Sequence, residues 1–577
     1  MTADLDVRIY DNTNLAESYS GVVSPLTTSF ARDLYEGVYR HFAKFIGVSA
    51  EDYRINGNIF PNMIVPIGYH LYYDMRNWYT LISLLPGYTY NKNFFEHMLG
   101  ISPNAYTMAT EKSAKNVMGS VAVSRARLSL QAIKIAMVFA AMPLLVRHFN
   151  RRFDRTLHTL MRTNLDAMEY WELRAHYRRI RDDLVRQWRV PIANDFAVMV
   201  SVGIARALYR RWSSEDEFAT QLTFSARSNL ATLDPGRHLL AIKEALENNL
   251  TLARSVASST PAHEVYEEII NSSGCEHIKS LVHEYVERFG SRVPNELKLE
   301  SPTLNEEPFT IVTMIRALKD SSGDLYTKRI KGQHSRNGAS SVNGIVRRGV
   351  FNIVLGWARK SIQYREETRL RRTQIFGHAR QVFLAIETIL IRDGLLAEPG
   401  DIMYLTNDEV CDMYNSPISR EIIEERMREM QTWKGVRMPT RIESVEPINI
   451  LEQQICNGTL RNTTKNDTQS LNGFVASRAG RASISGKALV MRDFDEHSDF
   501  YDKILVTRHT DPGWTVVFPL VRAIVVERGG ILSHASIVAR EMGIPCVIGV
   551  ISATDRISNG ASIEIDLISG SITINEI

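Results

Sequence analysis

The run from Asn457 to Ser470, Asn-Gly-Thr-Leu-Arg-Asn-Thr-Thr-Lys-Asn-Asp-Thr-Gln-Ser, limits the folds open to this chain more than any other stretch. It holds almost no apolar side chains, so ordering it would cost chain entropy with little buried surface in return. A segment of that kind separates packed units, and it reads as an interdomain linker with a hinge in it. Before it, from about Phe30 to Arg441, apolar residues recur at three- and four-residue spacing and Gly and Pro are sparse, which predicts helices. After it come short β-rich runs: Lys487 to Met491, Lys503 to Thr507, Ala523 to Val526, Cys546 to Val550 and Ser562 to Asp566. These alternate with glycine turns and one helix, Ala535 to Met542. The predicted organisation is multidomain, with a large mainly α-helical domain over 1–455, a flexible linker over 456–472 and a small C-terminal α/β domain over 473–577.

Within the helical part, Lys319 to Gly344 is rich in Ser, Gly, Asn and Lys and predicts a mobile loop. Arg147 to Trp188 places Phe153, Leu157, Leu160 and Met161 on one side and many arginines on the other, which reads as a solvated basic helix face. The most apolar stretch, Ala132 to Val146, is shorter than a bilayer span and contains Lys134 and Pro143, so a buried helix is expected and no transmembrane segment. The 68 basic and 65 acidic residues leave a formal charge of +3, which argues against general affinity for nucleic acid or an anionic membrane. Four scattered cysteines, Cys275, Cys411, Cys456 and Cys546, suggest neither a zinc site nor a disulfide framework. With no basic and apolar leader at the N-terminus, a cytoplasmic location is expected.

The chemistry concentrates in Glu527-Arg-Gly-Gly-Ile-Leu-Ser-His-Ala-Ser-Ile-Val-Ala-Arg-Glu-Met-Gly-Ile-Pro. Gly529 and Gly530 allow a tight turn with exposed amides after a strand, and Ser533 suits the N-cap of the helix that follows. His534 then stands at the helix N-terminus, where free N–H groups and the helix dipole favour a phosphoryl dianion. One imidazole nitrogen can attack phosphorus while the other keeps its proton, and the P–N bond formed is easily passed on. Read alone, His534 is more simply a capping residue; the surrounding segment points instead to a covalent relay.

That segment resembles the swivelling phosphohistidine domain of the phosphoenolpyruvate-utilising enzymes, the group of phosphoenolpyruvate synthase, pyruvate phosphate dikinase and rifampin phosphotransferase. The likeness runs from about Gly480 to Ile574 and includes Thr510-Asp-Pro-Gly-Trp-Thr, the histidine segment and Ile565-Asp-Leu-Ile-Ser-Gly. The resemblance implies that His534 is phosphorylated, with Gly529, Gly530 and Ser533 as its phosphate loop and Arg540, Arg528 and Thr510 in support. Leu532 stands where plant-type dikinases have a regulatory threonine, so that form of regulation is not expected.

Three further segments are similar to the helical acceptor-binding domain of rifampin phosphotransferase and its relatives. They are Asn14-Leu-Ala-Glu-Ser-Tyr-Ser-Gly-Val-Val-Ser-Pro-Leu-Thr, Arg288-Phe-Gly-Ser-Arg-Val-Pro-Asn-Glu-Leu followed by Glu306-Glu-Pro, and Ala358-Arg-Lys-Ser-Ile-Gln-Tyr-Arg-Glu-Glu-Thr-Arg continuing into Gly400-Asp-Ile-Met-Tyr. Arg365 and Arg369, four apart on a predicted helix, share a face and could clamp a phosphoryl group, the alternative being a surface ladder with Glu366 and Glu367. The relatives place an arginine and a lysine there; Arg369 keeps the charge but changes its hydrogen-bond geometry. Arg292, Glu296 and Glu300 are weaker candidates, which a packing role would serve equally. The aromatic group Tyr72, Tyr73, Trp78, Tyr79, Tyr88, Tyr90, Phe94 and Phe95 reads first as core and second as an acceptor pocket.

Because the likeness begins near residue 14 and the sequence stops just after the histidine domain, neither an ATP-grasp domain nor a pyruvate-binding barrel is expected in the chain. No Walker-type phosphate loop is found in it either. This arrangement resembles phenylphosphate synthase, in which the histidine-bearing and nucleotide-binding subunits are separate. The expectation is therefore a dikinase-type phosphotransferase subunit. A separate ATP-grasp partner would bring ATP and Mg2+, His534 would carry the phosphoryl group, and a small-molecule hydroxyl would accept it. No metal cluster of the chain's own, nucleic acid or membrane is expected. A phosphohistidine relay to another protein and a non-catalytic scaffold are the competing readings.

Overall fold

A computed structural model describes residues 7–84, 96, 125–213, 234–318, 342–459, 471–492, 494–495 and 498–575. Residues 319–341 of the expected loop, most of the polar linker, and Tyr88, Tyr90, Phe94 and Phe95 lie outside the described residues, whereas the end of that loop is held in place, with Val342 buried and bridged to Ser213.

The helical part is organised by one helix, Ile345–Arg392, 48 residues long. It runs uninterrupted by proline, and its buried positions, among them Ile362, Phe376, Phe383 and Leu390, face the helices Tyr170–Gln187 and Arg189–Trp212. The buried Asn194 side chain donates to the Ser361 carbonyl at 2.8 Å and fixes the register of the two longest helices. The helix Pro25–Phe45 crosses this group, capped by the Ser24 hydroxyl, which accepts from Thr27 N–H at 3.2 Å. One stretch, Tyr170–Trp212, is long and apolar enough to cross a membrane by length and composition, and 61% of its most apolar window is buried inside the fold.

Three expectations need correction. Ala132 to Val146 is not one buried helix: Arg125–Ala140 and Met142–Met161 are separate, bent by 62°, and Ile133, Met137 and Leu144 are 55%, 60% and 68% exposed. Pro143, with no N–H to give to the preceding turn, sits in the first turn of the second helix and accounts for the break. Arg147 to Trp188 is likewise interrupted after Met161, which is 48% exposed at the helix end, while Phe153 and Leu157 are buried as expected. The helical region also contains a four-stranded antiparallel sheet of β1 (Arg8–Asp11), β2 (Ile64–Ile67), β3 (His70–Asp74) and β4 (Arg441–Ser444), in the order β2-β3-β1-β4. Pro66 is tolerated because β2 is an edge strand.

The C-terminal part is an eight-stranded sheet of β5 (Leu471–Asn472), β6 (Phe474–Ser477), β7 (Ser483–Met491), β8 (Ile504–Thr507), β9 (Ala523–Val526), β10 (Cys546–Ile548), β11 (Ser562–Asp566) and β12 (Ser571–Asn575). Its order is β5-β12-β11-β7-β8-β9-β10-β6, with β7 to β10 parallel. Strands β8, β9 and β10 are wholly buried, which is why they read as unbroken apolar runs. The two outermost strands, β5 and β6, are separated in sequence by Gly473 alone, so the sheet curls round on itself. Between β9 and β10 runs the helix His534–Met542.

Candidate active site

The loop from β9 to this helix is braced from several sides. Gly529 has φ +130°, a conformation side chains rarely adopt, and it turns the chain toward the helix. The Ser536 hydroxyl donates to the Gly530 carbonyl at 2.9 Å, and the buried Arg540 donates to the Ile531 carbonyl at 2.7 Å. Arg540 thus supports the loop from beneath. Ser533 is the N-cap, its hydroxyl accepting from Ser536 N–H at 3.4 Å. His534 is the first helical residue and is 3% exposed.

Its imidazole Nε2 lies 3.1 Å from the Thr515 hydroxyl, while Nδ1 has no hydrogen-bond partner among the described residues. Burial pushes the ring's pKa down to about 3, against a raising influence from Glu366. The ring is therefore neutral across physiological pH, the state in which it carries a nucleophilic lone pair.

The small domain is docked, and the ring is walled in by the helical part. Leu489, Trp514, Phe518 and Leu532 share one apolar cluster with Val293, Leu304, Leu355 and Ile362. Asn295 N–H donates to Asp511 at 2.9 Å, and Gly513 packs so tightly that a Cβ there would lie 2.6 Å from Pro294 N. Arg365 donates to the Leu532 carbonyl at 3.2 Å and pairs with Asp195 at 3.3 Å. Arg369 pairs with the buried Glu366 at 3.1 Å. Arg369 thus makes the pair with Glu366 that the ladder alternative named, but not at the surface: the Arg365 and Arg369 side chains are only 12% and 17% exposed.

Several buried polar atoms here lack hydrogen-bond partners among the described residues: all three guanidinium nitrogens of Arg292, Glu17 Oε1, Glu296 Oε2 and Thr510 Oγ1, besides His534 Nδ1. Such concentration is unusual, because buried polar groups are nearly always satisfied. Burial raises Glu296 to about 8, Glu17 to about 7 and Asp511 to about 6, with nearby arginines pulling the other way. The charges of Arg292 and Arg369 both reach His534. An added anion would find the unpartnered N–H groups of Arg292 in this space. Arg528 instead faces Tyr72, Arg508 and Asp11, and Glu300 braces Ser24 and Thr27 at 2.8 and 2.5 Å. Among the described residues no cluster of three or more metal-ligating side chains occurs.

Beyond the arginines opens a cavity of about 180 Å³. Glu17, Asp195, Arg365 and Arg369 form its polar end, and Tyr19, Tyr39, Trp78, Trp188 and Phe196 contribute apolar wall. From the aromatic group singled out in the sequence, Tyr73 and Trp78 line it, whereas Tyr72 and Tyr79 are core. Sequence reasoning missed Glu17, Asp195 and Thr515. Glu17 and Thr515 lie inside segments whose resemblance was noted, but neither makes a local pattern of its own.

Comparison with known proteins defines the class first. Residues 501–570 match the PEP-utilising enzyme mobile domain, and residues 192–366 match the rifampicin phosphotransferase fourth domain. The chain thus joins a C-terminal segment similar to the mobile domain of the phosphoenolpyruvate-utilising enzymes to a helical segment similar to the fourth domain of rifampicin phosphotransferase.

Among individual relatives, a rifampicin phosphotransferase of Streptomyces sviceus is 25% identical over 375 residues, covering 63% of this chain and 42% of that protein. A Bacillus subtilis protein described as the uncharacterized phosphotransferase YvkC is 24% identical over 438 residues, 74% of this chain and 52% of its own length. A phosphoenolpyruvate synthase of Aquifex aeolicus is 47% identical over 92 residues, 16% of this chain and 11% of that enzyme. The chain spans about half the length of the first two of these relatives.

Proposed function

We propose that this chain is the phosphohistidine-carrying and acceptor-binding part of a phosphotransferase of the phosphoenolpyruvate-utilising type. The single observation that carries the reading is the position of His534 at a helix start, buried against Arg365, Arg369 and Arg292 beside an aromatic-walled cavity. An ATP-grasp partner charges His534 from ATP while the small domain is swung away on the polar linker. The domain then docks as in this structure, and the phosphoryl group passes to a hydroxyl of a small molecule held in the cavity. Arg365, Arg369 and Arg292 neutralise charge on the transferred oxygens. Magnesium enters with the nucleotide, since the groups around His534 suit an anion. An apolar cavity of roughly 150 Å³ holds a benzene ring, so the space beside Arg365 fits a single-ring acceptor.

The test is direct labelling. The purified chain, given β-labelled ATP and its ATP-grasp partner, or phosphoramidate as a small phosphoryl donor, should take an acid-labile, alkali-stable label. His534→Ala should take none, and equal labelling of that variant would refute the reading.

A further inference from the structure

We propose that Glu17 is the catalytic base of the transfer step, taking the proton of the acceptor hydroxyl as its oxygen bonds to phosphorus. The inference rests on the reading above and adds a residue to it. Glu17 ends the short turn Leu15–Glu17, just after β1, and reaches across the domain interface. Its Oε1 lies where a Cβ on Gly529 would come within 3.1 Å of it, so the carboxylate stands over the phosphate loop. The same residue lines the cavity, and Oε1 is buried without a hydrogen-bond partner among the described residues. One carboxylate therefore borders both the space for the acceptor and the loop that holds the phosphoryl group.

Glu296 Oε2 is also buried without a partner among the described residues, but Glu296 does not line the cavity, and the other nearby acids are paired. Asp195 is paired with Arg365 at 3.3 Å and Glu366 with Arg369 at 3.1 Å. The charged groups facing Glu17 are Arg369, Arg365 and Glu366, together with the His534 backbone amide. Burial outweighs the arginines and lifts its pKa to about 7, so that both protonation states are accessible near neutrality.

The step balances. With the ring's second nitrogen protonated, the acceptor oxygen forms an O–P bond as the P–N bond breaks, and that bond's electron pair returns to the ring nitrogen. The hydroxyl proton goes to Glu17, leaving a neutral imidazole, a phosphate monoester dianion and a neutral carboxylic acid. Domain swing then exposes Glu17 to water, which takes the proton away.

The test uses the full chain charged on His534 with phosphoramidate, then followed in a single turnover with phenol and with water alone as acceptors. Glu17→Gln should take as much label as wild type but pass it to phenol about 100-fold more slowly. Wild-type transfer should rise with pH through neutrality, and that rise should vanish in Glu17→Gln and partly return in Glu17→Asp. If charged wild type and Glu17→Gln lose label at one rate, fast or slow, or if the pH rise survives in Glu17→Gln, Glu17 is not the base. A lowered melting temperature with an unchanged pH profile would show that it only braces the His534 backbone amide. A wild-type chain that takes no label overturns this inference along with the histidine relay itself, a failure seen before any acceptor is added.

Discussion

Arg292 is 3% exposed, and none of its guanidinium nitrogens has a hydrogen-bond partner among the described residues. A buried cation whose N–H groups meet no acceptor costs stability, and an arriving phosphoryl group would offset that cost. Arg292→Met keeps the volume and removes the charge, so its melting temperature should equal or exceed wild type. Transfer from charged His534 should fall about 100-fold, in line with loss of one electrostatic contact to a developing anion. A melting scan and a single-turnover assay on one preparation would decide, and unimpaired transfer would count against Arg292 as a phosphoryl ligand. At this scale the sequence exposes what local chemistry can show. His534 follows a glycine turn and an N-cap, and Arg365 and Arg369 share a helix face. Glu17 and Thr515 were not legible, because their roles exist only once residues distant in sequence are brought to the same histidine.

The element that most depends on a single residue is the loop ending in Ser533. At Gly529, φ +130° would strain any side chain, and a Cβ would sit 3.0 Å from Ser533 Oγ and 3.1 Å from Glu17 Oε1. Gly529→Ala should therefore destabilise the loop by about 1–3 kcal/mol and slow transfer more than it lowers the melting temperature. Ser533→Ala, which removes the cap, should cost about 1 kcal/mol, read as a smaller shift in the same melting scan. Among the strands, β9 and β11 run over the residues their sequence patterns predicted, because buried parallel runs and clean alternation are strong signals. The sheet of β1 to β4 was hidden: its strands are four or five residues long, and β1 pairs with β4 over Arg8–Asp11 against Arg441–Ser444, more than 400 residues away in sequence. No window along the chain contains that information.

Across the whole molecule, docking is the property the proposed reaction uses. A Cβ at Gly513 would meet Pro294 N at 2.6 Å, so Gly513→Ala should weaken docking. Overpacking of this kind costs about 1–3 kcal/mol, enough to shift the docking equilibrium about 5- to 150-fold. Small-angle scattering should show a more extended particle, charging by phosphoramidate should speed up, and transfer should slow. Docking should also depend on pH. Glu17 and Glu296 are raised to about 7 and 8 in the docked form, so they favour docking below their exposed pKa values and lose that contribution as pH rises through the docked ones. His534 and His509, both lowered to about 3, oppose docking only when pH falls below the ordinary histidine value, roughly 6.5. From pH 8 to 6.5 the carboxylates alone decide, and scattering should report a more compact particle at the lower pH.

Glu17 is made well before His534, yet they meet over one glycine loop. A nascent chain still on the ribosome therefore holds one half of the transfer chemistry without the other, and cannot spend a phosphoryl group before synthesis has passed the histidine helix.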